Sequence, residues 1–272
     1  MARRTDLRDK LGIRPGRSAR LAGRDPGATF GYEKAAALAE TQRQLARLGP
    51  LQDRLWAESK RAVLVVLQGI DAAGKDGTIN KVMEAFNPQC CPVTSFKVPS
   101  TDELAHDYLW RVHQHVPKKG EIGIFNRSHY EDVLVVRVHG IVPRRVWARR
   151  FAQINEFERM LAETGTTIVK VFLNIDRDEQ RQRFQARYDD PTKRWKFSMG
   201  DLDERKLWDD YQGAFEDALT RTSTRWAPWY VIPANRKWFR DLAVASILAD
   251  TLAGLKPAYP PEPDLPANLV ID

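Results

Sequence analysis

Residues 62–78 read AVLVVLQGIDAAGKDGT. The first seven residues form an almost wholly apolar run, which is typical of a strand buried on both faces of a sheet. Gly69, Gly74 and Lys75 then fit the G-x-x-x-x-G-K spacing of a P-loop (Walker A) motif, and a helical pattern follows. A buried strand, a glycine-rich turn and a helix in this order predict an α/β fold built on a parallel sheet.

The glycine loop, residues 69–77, has the composition of a phosphate-binding site. Glycines let the backbone curl with its N–H groups inward, the helix start adds partial positive charge, and Lys75 adds a full one. Asp76 stands where Ser or Thr usually holds a metal, so we predict Asp71 as the replacement ligand. An ordinary turn between strand and helix is the alternative. The predicted phosphate-binding residues are Gly69, Ala72, Ala73, Gly74, Lys75, Asp76 and Gly77.

A second motif, FNRSHYED at 125–132, follows another predicted strand. Polar groups at the carboxyl ends of parallel strands gather at one edge of the sheet. We therefore expect Arg127 to bind phosphate and Glu131 to offer a second metal carboxylate, with Asn126 beside them. The alternative is that Asn-Arg-Ser only caps a helix.

Alternating strand and helix patterns predict a single domain over residues 31–256, with a parallel five-stranded sheet flanked by helices. A basic N-terminal arm with little regular structure (1–30) precedes it, and an extended proline-rich tail (257–272) follows. The predicted strands are 62–68, 93–96, 123–125, 167–175 and 229–233. The predicted helices include a pair over 32–60 broken near Gly49 and Pro50, and single helices over 102–115 and 202–219.

A lid is predicted over about 183–210. Arg183 and Arg187 are four residues apart and share a helix face, ahead of a stretch rich in charge and turn residues. A lid closes over phosphates and excludes water, and we expect Arg187 to reach the transferred phosphoryl group. The alternative for Arg187 is a surface ion pair with Asp189 or Asp190.

Aromatic residues alternate with cations inside this stretch. Trp195 and Phe197, next to Lys193, could stack on a nucleobase or pack the base of the lid, and the pattern does not choose between them. Further cations could line the path of a polyanion, and the alternative for each is a solvated helix face. These candidates are Lys81, Arg137, Arg145 and Arg149.

Composition narrows the class of protein. The net charge is +7, of which +5 lies in the first 25 residues, so overall charge is weak evidence for a polyanionic partner. No apolar run approaches the roughly 20 residues that span a bilayer, and no secretory signal is recognisable. Two adjacent cysteines, Cys90 and Cys91, suit neither a disulfide nor a zinc site. We expect a soluble cytoplasmic protein with no membrane partner.

The two motifs together resemble the polyphosphate kinase 2 family. The resemblance covers about residues 51–241 and rests on 69–77, 125–132 and DPTKRWKF at 190–197. APWY at 227–230 and the pair Arg236-Lys237 support it.

This resemblance implies a thymidylate-kinase-like fold, dependence on Mg²⁺ or Mn²⁺, and reversible phosphoryl transfer between inorganic polyphosphate and adenine nucleotides. It also implies that Asp71, Lys75, Arg127 and Arg187 are catalytic. Many family members carry Asp where this chain has Asn126. The Asn, together with Glu131, resembles the subgroup that phosphorylates both AMP and ADP.

Two other classes share some of these features. An ATP-dependent nucleoside monophosphate kinase would have the same fold and loop but a different donor. A non-catalytic nucleic-acid-binding protein would exploit the basic arm, but binding alone does not need Asp71, Lys75, Arg127 and Arg187 together. The N-terminal helices and the tail could supply contacts of a homo-oligomer, a dimer or tetramer.

Overall fold

The apolar run that follows Arg61 forms the central strand of a five-stranded sheet. A computed structural model describes residues 7–264 of the chain. All strand pairs are parallel, in the order β2-β3-β1-β4-β5, and every residue of β1 is buried. The predicted parallel α/β sheet is therefore confirmed. The strands are β1 (Ala62–Gln68), β2 (Val93–Ser95), β3 (Ile122–Asn126), β4 (Thr166–Asn174) and β5 (Trp229–Pro233).

Helices flank this sheet. The longest, α2, packs along α11, while α7 packs against β4 and α10. In chain order they are α1 (Leu7–Leu11), α2 (Lys34–Glu58), α3 (Lys75–Met83), α4 (Thr101–Ala105), α5 (Trp110–His113), α6 (Val135–Val138), α7 (Arg144–Glu163), α8 (Arg177–Asp189), α9 (Met199–Lys206), α10 (Trp208–Thr222) and α11 (Lys237–Leu255).

The sheet register brings the two sequence motifs together. Leu67, near the end of β1, lies opposite Asn126, the last residue of β3. The glycine loop and the second motif therefore leave the sheet side by side, at the edge formed by the carboxyl ends of the strands.

The predicted break at Pro50 was wrong, because α2 is one continuous helix with Pro50 inside it. Proline removes a single helical hydrogen bond, which buried side chains on both sides of it can offset. Leu45 and Leu48 before the proline and Leu55 after it all lie in the core.

Two helices predicted as continuous are divided. The carboxylate of Asp107 accepts hydrogen bonds from the backbone N–H groups of Leu109 and Trp110, which closes a turn between α4 and α5. Between α9 and α10 the backbone leaves the helical region at Leu207. Trp208 is anchored in the core there, while Arg205 reaches back to α8, so the two halves follow different partners.

The N-terminal segment contributes to the core, which the sequence pattern did not predict. Leu7, Leu11 and Ile13 are buried, and Ile13 donates a backbone hydrogen bond of 2.9 Å to Trp229 on β5. Between residues 7 and 30 the regular structure consists of α1, one 3-10 turn and an isolated antiparallel bridge between Gly12 and Tyr230 on β5. The first six residues of the predicted arm and the last eight of the predicted tail lie outside the described residues.

Candidate active site

The glycine loop forms a cradle of backbone N–H groups. Ala72 and Gly74 have φ angles of 65° and 105°, in the left-handed region that turns the chain back on itself. Within residues 7–264, the N–H groups of Asp71, Ala72 and Gly74 have no protein acceptor. Lys75 lies beneath them, and its Nζ donates to the Gly69 carbonyl at 2.7 Å. Unpaired donors above a buried lysine are the arrangement that binds phosphate oxygens.

Burial lowers the pKa of Lys75, and Asp71 opposes the shift. An anion entering the loop would favour the charged lysine in the same way as Asp71 does.

Arg127 joins the second motif to the glycine loop. Its Nη2 lies 2.6 Å from Asp71 Oδ1, and its Nη1 lies 3.7 Å from Glu131 Oε2. Its backbone has a φ of 62°, a strained conformation for a residue with a side chain, and its N–H bonds to the Leu67 carbonyl at 3.0 Å. Burial raises the pKa of Glu131 although Arg127 opposes the shift. The two predicted metal carboxylates therefore share one guanidinium.

Asn126 contacts the glycine loop at Asp76, whereas Arg127 contacts it at Asp71. Its Nδ2 donates to Asp76 Oδ1 at 2.9 Å, so in this structure the amide steadies a loop carboxylate. An Asp at this position would place two carboxylates against each other.

Asp71, Lys75, Asp76, Asn126 and Arg127 line one cavity of about 750 Å³, whereas Glu131 is not among its lining residues. Among the described residues, eight cationic side chains and three carboxylates border it, so its field favours anions. The cations are Lys75, Arg127, Arg183, Arg187, Lys193, Lys196, Lys237 and Arg240, and the acids are Asp71, Asp76 and Asp201.

Sequence reasoning missed Arg240, Lys237 and Asp201 as cavity residues. Arg240, on α11, is buried, and its Nη1 lies 3.3 Å from the Gly74 carbonyl. A Cβ added at Gly74 would lie 2.2 Å from that nitrogen. Lys237, one turn earlier, belongs to the Arg236-Lys237 pair of the family resemblance, and no local pattern marks Lys237 or Arg240 as facing the loop.

The candidate lid, residues 183–210, borders the cavity. Arg187 Nη1 contacts Asp201 Oδ2 and the Lys196 carbonyl at 3.4 and 3.3 Å. Asp189 and Asp190 instead hold Gln185 and Lys193, so the predicted alternative partners of Arg187 are engaged elsewhere.

The two aromatic residues of the candidate lid differ in environment. The Trp195 side chain is 77% exposed and borders the cavity. Phe197 packs edge-on against Tyr188 with ring centroids 5.6 Å apart. The Trp195 indole N–H donates to the Thr192 carbonyl at 3.1 Å, and the exposed ring remains accessible to a ligand, whereas Phe197 packs within the candidate lid.

The four cations predicted along a polyanion path are not among the residues that border the cavity. Lys81 pairs with Glu84 at 2.6 Å, and Arg137 pairs with Asp217 at 2.6 Å and covers the Trp147 ring. Arg145 and Arg149 are exposed on α7. Their helices turn these side chains toward other surfaces, which spacing along the sequence does not reveal.

The described residues contain no group of three or more His, Cys, Asp or Glu side chains that could hold a metal ion. Any metal at the Asp71–Glu131 pair would need ligands from a substrate or from water. Nor does any helix among residues 7–264 combine the length and apolar character that crossing a bilayer requires.

The first strand of this parallel sheet runs into a glycine loop of P-loop spacing, and a cavity suited to anionic ligands lies at the carboxyl ends of the strands. These features define the P-loop kinase class of α/β fold. Residues 31–259 match the sequence profile of Polyphosphate kinase 2 (PPK2). The chain belongs to the polyphosphate kinase 2 family.

Known proteins similar to this chain agree with that assignment. An AMP/ADP-polyphosphate phosphotransferase of Meiothermus ruber is 57% identical over 250 residues, which cover 91% of this chain and 94% of that protein. An ADP-polyphosphate phosphotransferase of Rhodopseudomonas palustris is 48% identical, over 80% and 79% of the two chains. The crystal structure of Polyphosphate Kinase 2 from Arthrobacter aurescens is similar with a TM-score of 0.92 at 46% identity, covering 97% of this chain and 94% of that one.

Proposed function

We propose that this protein transfers phosphoryl groups reversibly between inorganic polyphosphate and adenine nucleotides, converting AMP to ADP and ADP to ATP. The observation that carries the proposal is the convergence of the glycine loop, Lys75, Asp71 and Arg127 on one cavity bordered mainly by cations. The names of the Meiothermus and Rhodopseudomonas relatives support the same substrates. The name of the first of these also supports action on both AMP and ADP.

A divalent metal fits the donor set, and we propose Mg²⁺, with Mn²⁺ as a substitute. Mg²⁺ is commonly bound through one or two carboxylates together with substrate phosphates and water. Asp71 and Glu131 offer such a pair, and both are held on Arg127. The ion would neutralise charge on the phosphates, and Arg127 would then turn toward a phosphate oxygen.

The chain's own residues would act by alignment and charge neutralisation. The terminal phosphate of the donor would lie on the loop amides and Lys75, and Arg127 and Arg187 would face the transferred group. The acceptor is a phosphate oxygen that is already anionic, so no general base is required. Catalysis of this kind depends on positioning and on countering charge repulsion.

Product analysis without ATP separates this proposal from its alternatives. Long-chain polyphosphate and Mg²⁺ are supplied with AMP or with ADP, and we expect ADP and ATP respectively. An ATP-dependent monophosphate kinase would convert AMP only when ATP is added, and a nucleic-acid-binding protein would show salt-sensitive binding without turnover. Absence of product from polyphosphate, with turnover on ATP, would refute the proposal.

Several further assignments remain proposals. They are that the kinase domain spans residues 31–256, that the candidate lid closes over the cavity and that Trp195 stacks on a nucleobase. A cytoplasmic location and a homo-oligomer complete the set. Light scattering on the purified protein would establish whether a dimer or tetramer forms.

A further inference from the structure

Carbonyl groups of the glycine loop accept hydrogen bonds from side chains of two helices, α8 and α11, that lie far from the loop in sequence. Backbone carbonyls that turn away from a ligand still need donors. Arg183 Nη1, on α8, donates to the carbonyls of Ala72 and Ala73 at 2.9 and 2.8 Å. Arg240, on α11, covers the Gly74 carbonyl. The amide cradle is therefore shaped by residues that do not belong to the loop.

Gln180 is a third side chain that holds a loop carbonyl, and the carbonyl it holds belongs to Asp71, the predicted metal ligand. Its side chain is buried, and its Nε2 donates to the backbone carbonyl of Asp71 at 3.0 Å. Gln180, Arg183 and Arg187 are spaced i, i+3 and i+7, so they form a row along one face of α8. One helix face thus contacts Asp71, the next loop residues and the candidate lid.

The other end of the Gln180 amide is engaged by the candidate lid. Arg205 Nη1, on α9, donates to Gln180 Oε1 at 2.8 Å and to the Arg177 carbonyl at 2.7 Å. The contacts run in sequence from Arg205 through the Gln180 amide to the Asp71 backbone. The Gln amide accepts at one end and donates at the other, whereas an ionised Glu has no donor and Leu has neither group.

We propose that Gln180 is a positioning residue that couples the docking of α9 to the placement of Asp71. When Arg205 docks on α8, the Gln180 amide is oriented to hold the Asp71 carbonyl, and the Asp71 carboxylate is held facing Arg127 and the metal position. The proposal rests on the proposed function and adds to it a specific link between the candidate lid and the loop.

The test compares steady-state kinetics of Gln180→Leu, Gln180→Glu, Arg205→Met and the double variant Gln180→Leu/Arg205→Met with polyphosphate, ADP and varied Mg²⁺. We expect Gln180→Leu and Gln180→Glu to lower kcat by about 10- to 100-fold, because the Asp71 carbonyl loses its donor. The Mg²⁺ concentration for half-maximal rate should rise while KM for ADP changes little, and the Kd for Mn²⁺, measured by electron paramagnetic resonance with ADP but without polyphosphate, should rise as well. Arg205→Met should act in the same direction more weakly, and the double variant should be no slower than Gln180→Leu alone.

Gln182→Leu is the matched control, since it makes the same change on the same helix at an exposed side chain that lies outside the candidate lid. Unchanged kcat and Mg²⁺ dependence in Gln180→Leu, or multiplicative effects in the double variant, would overturn the coupling. If Gln180→Leu does not fold, Arg205→Met decides, with a normal kcat overturning the proposal. Loss of transfer in the wild type would instead refute the proposed function.

Discussion

At the scale of single residues, the candidate site depends on charges that restrain one another. Arg127 is held between Asp71 and Glu131, and Asn126 is held on Asp76. Each of these pairs joins the glycine loop to the second motif or links residues within that motif. A phosphate or a metal ion entering the cavity would exchange these contacts for contacts of its own, without creating an unpaired buried charge.

Lys75→Ala and Asp71→Ala are expected to lower turnover by at least about 1,000-fold while the fold persists, because phosphate and metal each lose a charged ligand. Turnover is measured as ATP formed from ADP and polyphosphate, with circular dichroism to check folding. Lys119→Ala is the control, since this exposed lysine precedes β3 at the opposite end of the sheet. Near-normal rates in either site variant would refute the assignment.

Asn126→Asp is expected to weaken the binding of both phosphate substrates. The new carboxylate would face Asp76, which Asn126 Nδ2 now contacts at 2.9 Å, and would add negative charge to a cavity that binds anions. KM for polyphosphate and for ADP should rise by about 3- to 30-fold, and added Mg²⁺ should partly reverse the rise. Unchanged KM values at low Mg²⁺ would show that the contact between Asn126 and Asp76 does not affect substrate binding.

Whether a site residue can be predicted from the sequence depends on how far along the chain its partners lie. Gly74 and Lys75 are recognisable because one loop holds them at a fixed spacing. Gln180 and Arg240 are not, because their contacts to the loop exist only after α8 and α11 have packed beside it. Sequence patterns report on local partners, and these two residues act across more than 100 positions.

At the scale of elements, a buried ion pair ties the second motif to the sheet. Lys170 Nζ, on β4, lies 2.6 Å from Glu158 Oε2, on α7, and both side chains are fully buried. Tyr130, three residues after Arg127, donates to Glu158 Oε1 at 2.8 Å. Burial lowers the pKa of Lys170 to about 8, although Glu158 opposes the shift. Burial alone would raise the pKa of Glu158, yet Lys170 and His129 hold it below its ordinary value.

Glu158→Gln is expected to destabilise the fold by about 3–5 kcal/mol, because it leaves the Lys170 charge buried without its partner. The double variant Glu158→Leu/Lys170→Met should cost less than the sum of the single changes. Urea unfolding followed by fluorescence measures both. Glu156→Gln, at an exposed position on the same helix, should change stability by less than about 0.5 kcal/mol. Equal costs at positions 156 and 158 would contradict this account.

Helix boundaries show what periodicity can and cannot predict. The strands at 62–68 and 229–233 were predicted as they stand, because buried parallel strands read as continuous apolar runs. The break after α4 depends on a side-chain turn at Asp107, and the continuity of α2 through Pro50 depends on packing against α11. Both outcomes are decided by contacts that an apolar pattern does not encode.

At the scale of the whole molecule, the parallel sheet collects groups from distant parts of the chain at one edge. The glycine loop, the second motif, α8 and the start of α11 all border the cavity there. The N-terminal helix α1, whose Leu7 and Leu11 are buried, contacts β5 and α11. The sequence predicts the sheet and its edge correctly, but it does not reveal that this basic segment belongs to the core.

The two cysteines should report on opening of the whole domain. Cys90 and Cys91 lie buried before β2, and burial raises the pKa of the Cys91 thiol to about 12. Because the thiolate is the reactive form, native protein at pH 8 should react with a thiol reagent at least about 100-fold more slowly than protein in urea. Raising the pH toward 10 should accelerate the native reaction little. Fast labelling of native protein would contradict this burial.

The central claim is tested most directly by a crystal structure of the Asp71→Asn variant and the wild type, each with polyphosphate and Mg²⁺. In the wild type we predict the terminal phosphate beside Lys75 on the amides of Asp71, Ala72 and Gly74, which are free within residues 7–264, and an ion on the Asp71 carboxylate. The variant should lose the ion but keep phosphate on the loop. A phosphate chain bound elsewhere, for example along Arg145 and Arg149, with the glycine loop vacant, would contradict the account.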